Sequence, residues 1–226
     1  MAELKVIAKI HTDFPTKFGI PRQSGLENGL VSEIVFEPEY RNDEALRGIE
    51  GFSHLWLIWN FSEAERDGWS PTVRPPRLGG NKRMGVFATR SPFRPNPIGL
   101  SSVKIEGLKK TKTGTVILVS GADLMDGTPI YDIKPYLPFT DSHPEATGGF
   151  ANDNFDYKLE VDFNEELLQM IAPKKREGLV SLLSQDPRPA YSDDQDRVYG
   201  FEFAKSEIKF TVKNGILKVV DVQNIK

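Results

Sequence analysis

HLWLIWNF, residues 54–61, contains the longest apolar run in the chain, LWLIW. It has the length of a strand and shows no alternation, so it reads as a β-strand buried on both faces. Within it His54 reads as a satisfied core histidine, and Trp56, Trp59 and Phe61 read as core rather than as a base-stacking platform. Working outward, LKVIAKIH (4–11) and GLVSEIVF (29–36) precede it as alternating strands, and residues 83–89, 98–105 and 115–120 follow, each bounded by Gly or Pro. Only residues 43–49 look helical. Many short strands joined by Gly/Pro turns predict an antiparallel sheet or small barrel. Strand–helix alternation is missing, and no GxGxxG follows a strand and opens a helix, which disfavours a doubly wound dinucleotide fold.

The pattern breaks after Pro138. Residues 139–156, FTDSHPEATGGFANDNFD, are acidic, rich in Gly and Asn, and without periodicity. The chain therefore divides into a barrel domain at 1–140, a linker at 141–156 and a smaller α+β domain at 157–226. In that last part residues 157–163 alternate as a strand, Asn164 can cap a helix through Ile171, Pro173 interrupts it, and a second helical piece follows near 177–185. Two alternating runs flank Asn214-Gly215, which predicts a hairpin with a type I′ turn. The fold class is mainly β, α+β overall.

The 226 residues are 38% hydrophobic and 27% charged, with no cysteine and three histidines. That composition builds an ordinary folded core, and it excludes disulfides, thiolate metal sites and a cysteine nucleophile. Three scattered histidines leave no metal site to propose. The N-terminus has no long apolar leader core, so the reading is a cytoplasmic protein without a membrane span.

The net charge of −3 argues against nucleic acid when taken globally, but its distribution does not. From 71 to 105 there are seven Lys/Arg and no acid, whereas 141–166 holds eight acids and one lysine. Such a basic tract is either a polyanion site or a solvated loop compensated elsewhere.

Within that tract lies RSPFRPNP (90–97), where three prolines stiffen a loop bearing Arg90, Arg94, Asn96 and Ser91. A stiff loop holds a guanidinium fork at low entropic cost, which suits a carboxylate or phosphate. A plain corner is the competing reading. The stretch SGADLMDGTPIYDIKPY (120–136) contains turn chemistry at Asp126-Gly127-Thr128-Pro129, then a strand alternating Ile130, Asp132 and Lys134 on one face. Asp132 and Lys134 on a shared face either orient a ligand or form a surface pair. FPTKFGIPRQSG (14–25) is a ligand lip or a plain connection. DPRPAY (186–191) is another proline-pinned loop, offering Arg188 and Tyr191.

GIPRQSG (19–25), RGIEGFSHLWLIW (47–59), VRPPRLGGNKRMGVFATRSPFRPNPIGLS (73–101), DLMDGTPIYDIKPYLPF (123–139) and QDPRPAY (185–191) together resemble the TrmO family (TsaA-like, YaeB-like) across almost the whole chain. These are S-adenosylmethionine-dependent tRNA methyltransferases. The resemblance implies a small β-barrel enzyme that forms a homodimer, binds the anticodon loop of threonine tRNA and methylates N6 of N6-threonylcarbamoyladenosine at position 37. It implies a cofactor cleft of Pro21, Arg22, Gln23, Ser62, Glu63, Arg90, Leu100, Asp123, Leu124, Asp126, Gly127, Thr128 and Pro129. Ser62 stands where many members carry histidine, so contact there is assigned to backbone. Arg94, Asn96, Lys134, Tyr136, Arg188 and Tyr191 are implied at the tRNA substrate, and Asp126 or Asp132 as the carboxylate that accepts the N6 proton. The implied enzyme needs no metal. Two alternatives stand beside it: a module that binds S-adenosylmethionine or RNA without turnover, and a methyltransferase with a different acceptor.

Overall fold

A computed structural model describes residues 3–26, 29–64, 68–75, 82–154, 157–188 and 194–225. Six strands close on themselves: β1 (Ala8–His11), β2 (Val31–Phe36), β3 (His54–Asn60), β6 (Ile98–Thr111), β7 (Gly114–Ser120) and β8 (Pro129–Pro135), in the order β1-β2-β7-β6-β3-β8. Every pairing in this barrel is antiparallel, and β8 returns to β1 through Ala8 opposite Ile130. Its interior is filled by alternate residues such as Ile10, Ile34, Leu55, Leu57, Trp59, Val103, Ile117 and Ile130. A small ribbon of β4 (Thr72–Val73) and β5 (Met84–Gly85) stands on the long β3–β6 connection.

β3 departs from the expectation of two buried faces. Leu55, Leu57 and Trp59 point inward, while His54, Trp56, Ile58 and Asn60 are only half-buried on the outside. His54 is accordingly no core histidine: it meets Ser53 Oγ at 2.9 Å and lies beside the Tyr136 ring. Residues 83–89 form only the two-residue β5 followed by a 3₁₀ turn over Val86–Ala88. In β8 the register shifts where Ile58 opposes Asp132 and Trp59 opposes Ile130. This bulge lets Ile130 and Ile133 both face the core, so Asp132 and Lys134 share the outer wall without Ile130.

A second core belongs to the C-terminal part. β10 (Tyr199–Phe203), β11 (Ser206–Lys213), β12 (Ile216–Asn224) and β9 (Glu160–Asp162) form a four-stranded sheet, with β9 parallel to β12. α3 (Pro173–Ser184) buries Leu179, Leu182 and Leu183 into the same core as Phe201, Phe203, Ile208, Phe210 and Leu217. It opens at Pro173, where a missing N–H is harmless. The shorter α2 (Glu165–Gln169) is capped by Asn164, whose side chain accepts from Glu166 N–H. The β11–β12 turn is type I′, with Asn214 at φ 51° and Gly215 at φ 81°. Between the two parts run α1 (Pro138–Asp141) and a 3₁₀ segment over Gly149–Asn154.

The β1–β2 connection joins the two cores. Phe14 and Leu30 are buried in the second core, with Phe18 and Ile20 packed against it. Phe18 meets Phe201 edge-on at 6.2 Å. Gly19 (φ +93°) lies so close to Phe201 that a Cβ would come within 2.3 Å of the ring. Asp13 receives Ala204 N–H on its carbonyl and Lys175 Nζ on its carboxylate.

Candidate functional site

The direction of each strand decides where the motifs meet. β1, β3 and β7 end at the same rim of the barrel from which β2, β6 and β8 start. The connections 12–30, 61–97 and 121–128 therefore all emerge there, carrying IPRQSG, RSPFRPNP and DLMDGT, stretches far apart in sequence. The base of the longest connection is closed by Phe61 N–H donating to the Pro97 carbonyl at 2.9 Å.

A polar chain links the three connections. Arg90 Nη1 donates to Gln23 Oε1 at 2.8 Å, and Gln23 Nε2 donates to the Arg22 carbonyl. Arg22 Nη2 donates to the carbonyls of Asp186 and Arg188 at 2.7 and 3.0 Å, so residues 186–188 are tied to the same rim. On the barrel side Trp59 Nε1 donates to Ser101 Oγ at 2.9 Å, and Ser101 Oγ donates to Asp123 Oδ1 at 2.5 Å. Ser24 Oγ accepts Ser102 N–H at 3.2 Å, and Gly25 N–H reaches the Gly121 carbonyl.

Asp123 is the electrostatic centre. Burial pushes its carboxyl above the usual aspartate range, opposed by hydrogen bonds from Ser101 and from backbone, and by the charge of Arg90. A carboxylate, a guanidinium and an amide thus stand at one rim, with Asp123 and Gln23 partly buried and Arg90 exposed, a combination able to hold a zwitterion.

Around this centre, Pro21 is buried, Leu124 belongs to the barrel core, and Thr128 is buried with its hydroxyl on the Met125 carbonyl at 2.7 Å. Gly127, at φ +77°, makes the turn into β8, which Pro129 begins. Asp126 is at this rim too, but its side chain turns to β1: Oδ1 accepts Thr12 N–H at 3.0 Å and contacts His11 Nδ1 at 3.1 Å. Ser62 and Glu63 start a 3₁₀ turn after β3, and Lys17 Nζ donates to the Glu63 carbonyl. Arg94 Nη1 holds the Thr89 carbonyl at 2.8 Å, and the Asn96 carbonyl accepts Ile98 N–H.

Other expected residues lie on the outer wall. Leu100 and Asp132 both register with Ile58. Asp132 pairs with Lys134 at 2.8 Å. Tyr136 lies further along, its ring 5.5 Å from that of Trp56. Arg188 grips Asp186 bidentately through Nε and Nη2, both at 2.8 Å. Tyr191 lies outside the described residues. Among the described residues no group of His, Asp and Glu could hold a metal ion, and no helix is long and apolar enough to cross a membrane.

Sequence reading missed Ser24, Ser101 and Trp59 as part of this site. Ser101 is the inward-facing polar residue of an otherwise apolar β6 interior, a signal visible once strand phase is known.

The chain matches the family tRNA-methyltransferase O N-terminal domain over residues 9–142 and the TrmO C-terminal domain over 156–225. It is 43% identical over 200 residues to the tRNA (adenine(37)-N6)-methyltransferase of Escherichia coli (strain K12), covering 86% of this chain and 85% of that one. It is 37% identical over 225 residues to a putative S-adenosylmethionine-dependent methyltransferase of Pseudomonas aeruginosa, covering 96% and 95%. The crystal structure of TrmO from Pseudomonas aeruginosa superposes with a TM-score of 0.79 at 31% identity, covering 99% of this chain and all of that one. With both halves matched in order, this chain belongs to the TrmO family.

Proposed function

We propose that this chain is an S-adenosylmethionine-dependent methyltransferase acting on N6 of adenosine 37 in tRNA. The observation that carries the reading is the joining of Gln23, Arg90 and Asp123 at one barrel rim, in a chain of this family. The finer reading is that the acceptor is N6-threonylcarbamoyladenosine in the anticodon loop of threonine tRNA. It takes residues 1–140 as the catalytic barrel and residues 157–226 as the tRNA-recognition domain, in a cytoplasmic homodimer.

The donor set fits the cofactor: the Asp123 carboxylate suits an ammonium or ribose hydroxyls, and the Arg90 and Gln23 side chains suit a carboxylate. When bound, S-adenosylmethionine supplies the electrophilic methyl sulfonium. The chain itself supplies orientation and exclusion of water. Pro21, Arg22, Gln23, Ser62, Glu63, Arg90, Leu100 and residues 123–129 are proposed to form the cofactor cleft, with Arg94, Asn96, Lys134, Tyr136, Arg188 and Tyr191 toward the tRNA. A carboxylate, Asp126 or Asp132, takes the N6 proton as the new N–C bond forms. Asp126 is favoured because it sits on the rim, whereas Asp132 is held by Lys134 on the wall.

The test is methyl transfer from labelled S-adenosylmethionine to threonine tRNA with and without threonylcarbamoylation, with nucleosides resolved by mass spectrometry. Methylated product from the modified tRNA alone supports the full reading. Product from unmodified tRNA overturns the acceptor, and product from neither overturns the enzyme.

A further inference from the structure

The β3–β6 connection carries a feature that the rim site leaves unused. Trp69 and Phe87 are 49% and 71% exposed, although both are large apolar rings. Their centroids are 6.0 Å apart and their planes 23° apart, a stacked pair. The fold builds this pair from distant residues. Ser70 N–H donates to the Phe93 carbonyl at 3.3 Å, Val86 N–H donates to the Pro71 carbonyl at 3.0 Å, and β4 pairs with β5 between them. Phe87 projects from the 3₁₀ turn that follows β5, and this turn leaves its ring in water.

A cation completes the arrangement. The Arg94 guanidinium carbon is 5.9 Å from the Phe87 centroid, and its Nη1 is anchored on the Thr89 carbonyl at 2.8 Å. The tract from 71 to 105, which carries Phe87 and Arg94, contains no Asp or Glu, whereas Glu63, Glu65 and Asp67 precede Trp69 in sequence. Large rings left this exposed, stacked on each other rather than on the core, add apolar area facing water. Stacked rings beside a guanidinium, with Phe87 and Arg94 in a tract free of acids, match a ligand that offers flat faces and phosphates together.

We infer that Trp69 and Phe87 form a stacking platform for an unpaired base of an RNA loop, with Arg94 beside it for the adjoining phosphate. The identity of the ligand as RNA rests on the tRNA reading above. The platform lies on the same connection as Arg90, so a base stacked there anchors the loop next to the rim while a neighbouring nucleotide enters.

The probe is a synthetic anticodon stem-loop RNA, titrated without S-adenosylmethionine so that binding is read apart from turnover. Intrinsic tryptophan fluorescence is quenched in the wild type, and the quench is lost in Trp69→Leu. By polarisation of labelled RNA, Trp69→Leu and Phe87→Leu each bind about tenfold more weakly, the scale of one lost base stack, and Trp69→Phe recovers most of that loss. The salt slope is unchanged in these uncharged variants, whereas Arg94→Gln lowers it by about one. Affinity within about twofold of wild type in both leucine variants overturns the platform. A wild type that does not bind the hairpin at low salt also overturns it. So does a Trp69→Leu variant that changes self-association in sedimentation but binds RNA normally, which would make this a protein interface. A platform that binds RNA in a protein transferring no methyl group leaves this inference standing and removes the enzyme reading.

Discussion

The indole of Trp59 lies across Gly99, so close that a Cβ at Gly99 would come within 2.2 Å of the ring. Trp59 and Gly99 are cross-strand partners on β3 and β6, and the ring cannot retreat because it is buried in the barrel core. That placement brings Trp59 Nε1 to Ser101 Oγ, and Ser101 to Asp123. The absent side chain at Gly99 thus sets the position of a carboxylate two hydrogen bonds away.

Gly99→Ala is therefore expected to act on stability and activity together. Overpacking a filled interior destabilises by about 1–3 kcal/mol, read as a lower denaturation midpoint. The displaced indole releases Ser101, so kcat falls by about tenfold or more, the scale of a small misplacement at a site. Stability lost with kcat intact would detach this glycine from the site.

Asp123 gives a second expectation through its pH dependence. Burial raises its carboxyl above the ordinary range, so the folded state keeps the proton longer than the unfolded chain does. Its contribution to stability is full below the unfolded value of about 3.9 and is lost as pH rises through the higher folded value. Asp123→Asn imitates the neutral form. The variant should melt at a higher temperature than wild type at neutral pH, with the gap closing in acid, and its affinity for S-adenosylmethionine should fall. Equal melting temperatures at neutral pH would mean the carboxylate is better solvated than its surroundings imply.

The barrel was legible because residues 29–36, 98–105 and 115–120 are strand-length stretches bounded by Gly or Pro, and all become strands. The Asn214-Gly215 hairpin was legible for the same local reason. β10 was not seen, because its turn uses Ala204 and Lys205 at φ 49° and 66° rather than Asn-Gly. The contact between Asp13 and Ala204 holds that turn, which is a tertiary effect. The motif residues of the rim could be named from sequence by resemblance. Ser24, Ser101 and Trp59 could not, since their roles follow from which side of β3 and β6 faces inward. The bulge opposite Ile58 and Trp59 was equally invisible, because a single extra residue changes strand phase without changing composition.

The two carboxylates proposed as bases separate in a kinetic experiment. Asp126 stands at the rim with His11 and Thr12, and Asp132 is on the wall with Lys134. Asp126→Asn should lower kcat by about a hundredfold, within the usual range for a lost general base. Asp132→Asn should leave kcat within about threefold of wild type. If both variants retain near wild-type kcat, neither carboxylate removes the proton.

The last expectation concerns Asp186, which pairs with Arg188 inside the C-terminal loop and so braces the segment that Arg22 ties to the rim. Burial alone would raise its carboxyl, but the hydrogen bonds and charge of Arg188, with the charge of Arg22, outweigh burial and hold it below the usual range. The sign is opposite to that of Asp123. The pair stabilises the fold above the unfolded value of about 3.9, and the contribution is lost as pH falls through the lower folded value. Asp186 also occupies the left-handed region at φ +54°, which asparagine tolerates, so Asp186→Asn removes charge without adding backbone strain. Both side chains are mostly buried, at 11% and 15% exposure, so Arg188 is left a half-dry cation with one weaker acceptor. The variant should lose about 2 kcal/mol at neutral pH, and its stability should decline less than that of wild type on acidification. Arg22 keeps its bonds to the Asp186 and Arg188 carbonyls, so the loop should loosen rather than detach, and KM for tRNA should rise more than kcat falls. Denaturant unfolding at neutral and acid pH, with steady-state kinetics at neutral pH, checks both halves. Parallel stability loss in acid for wild type and variant would show that the pair contributes nothing through its charge.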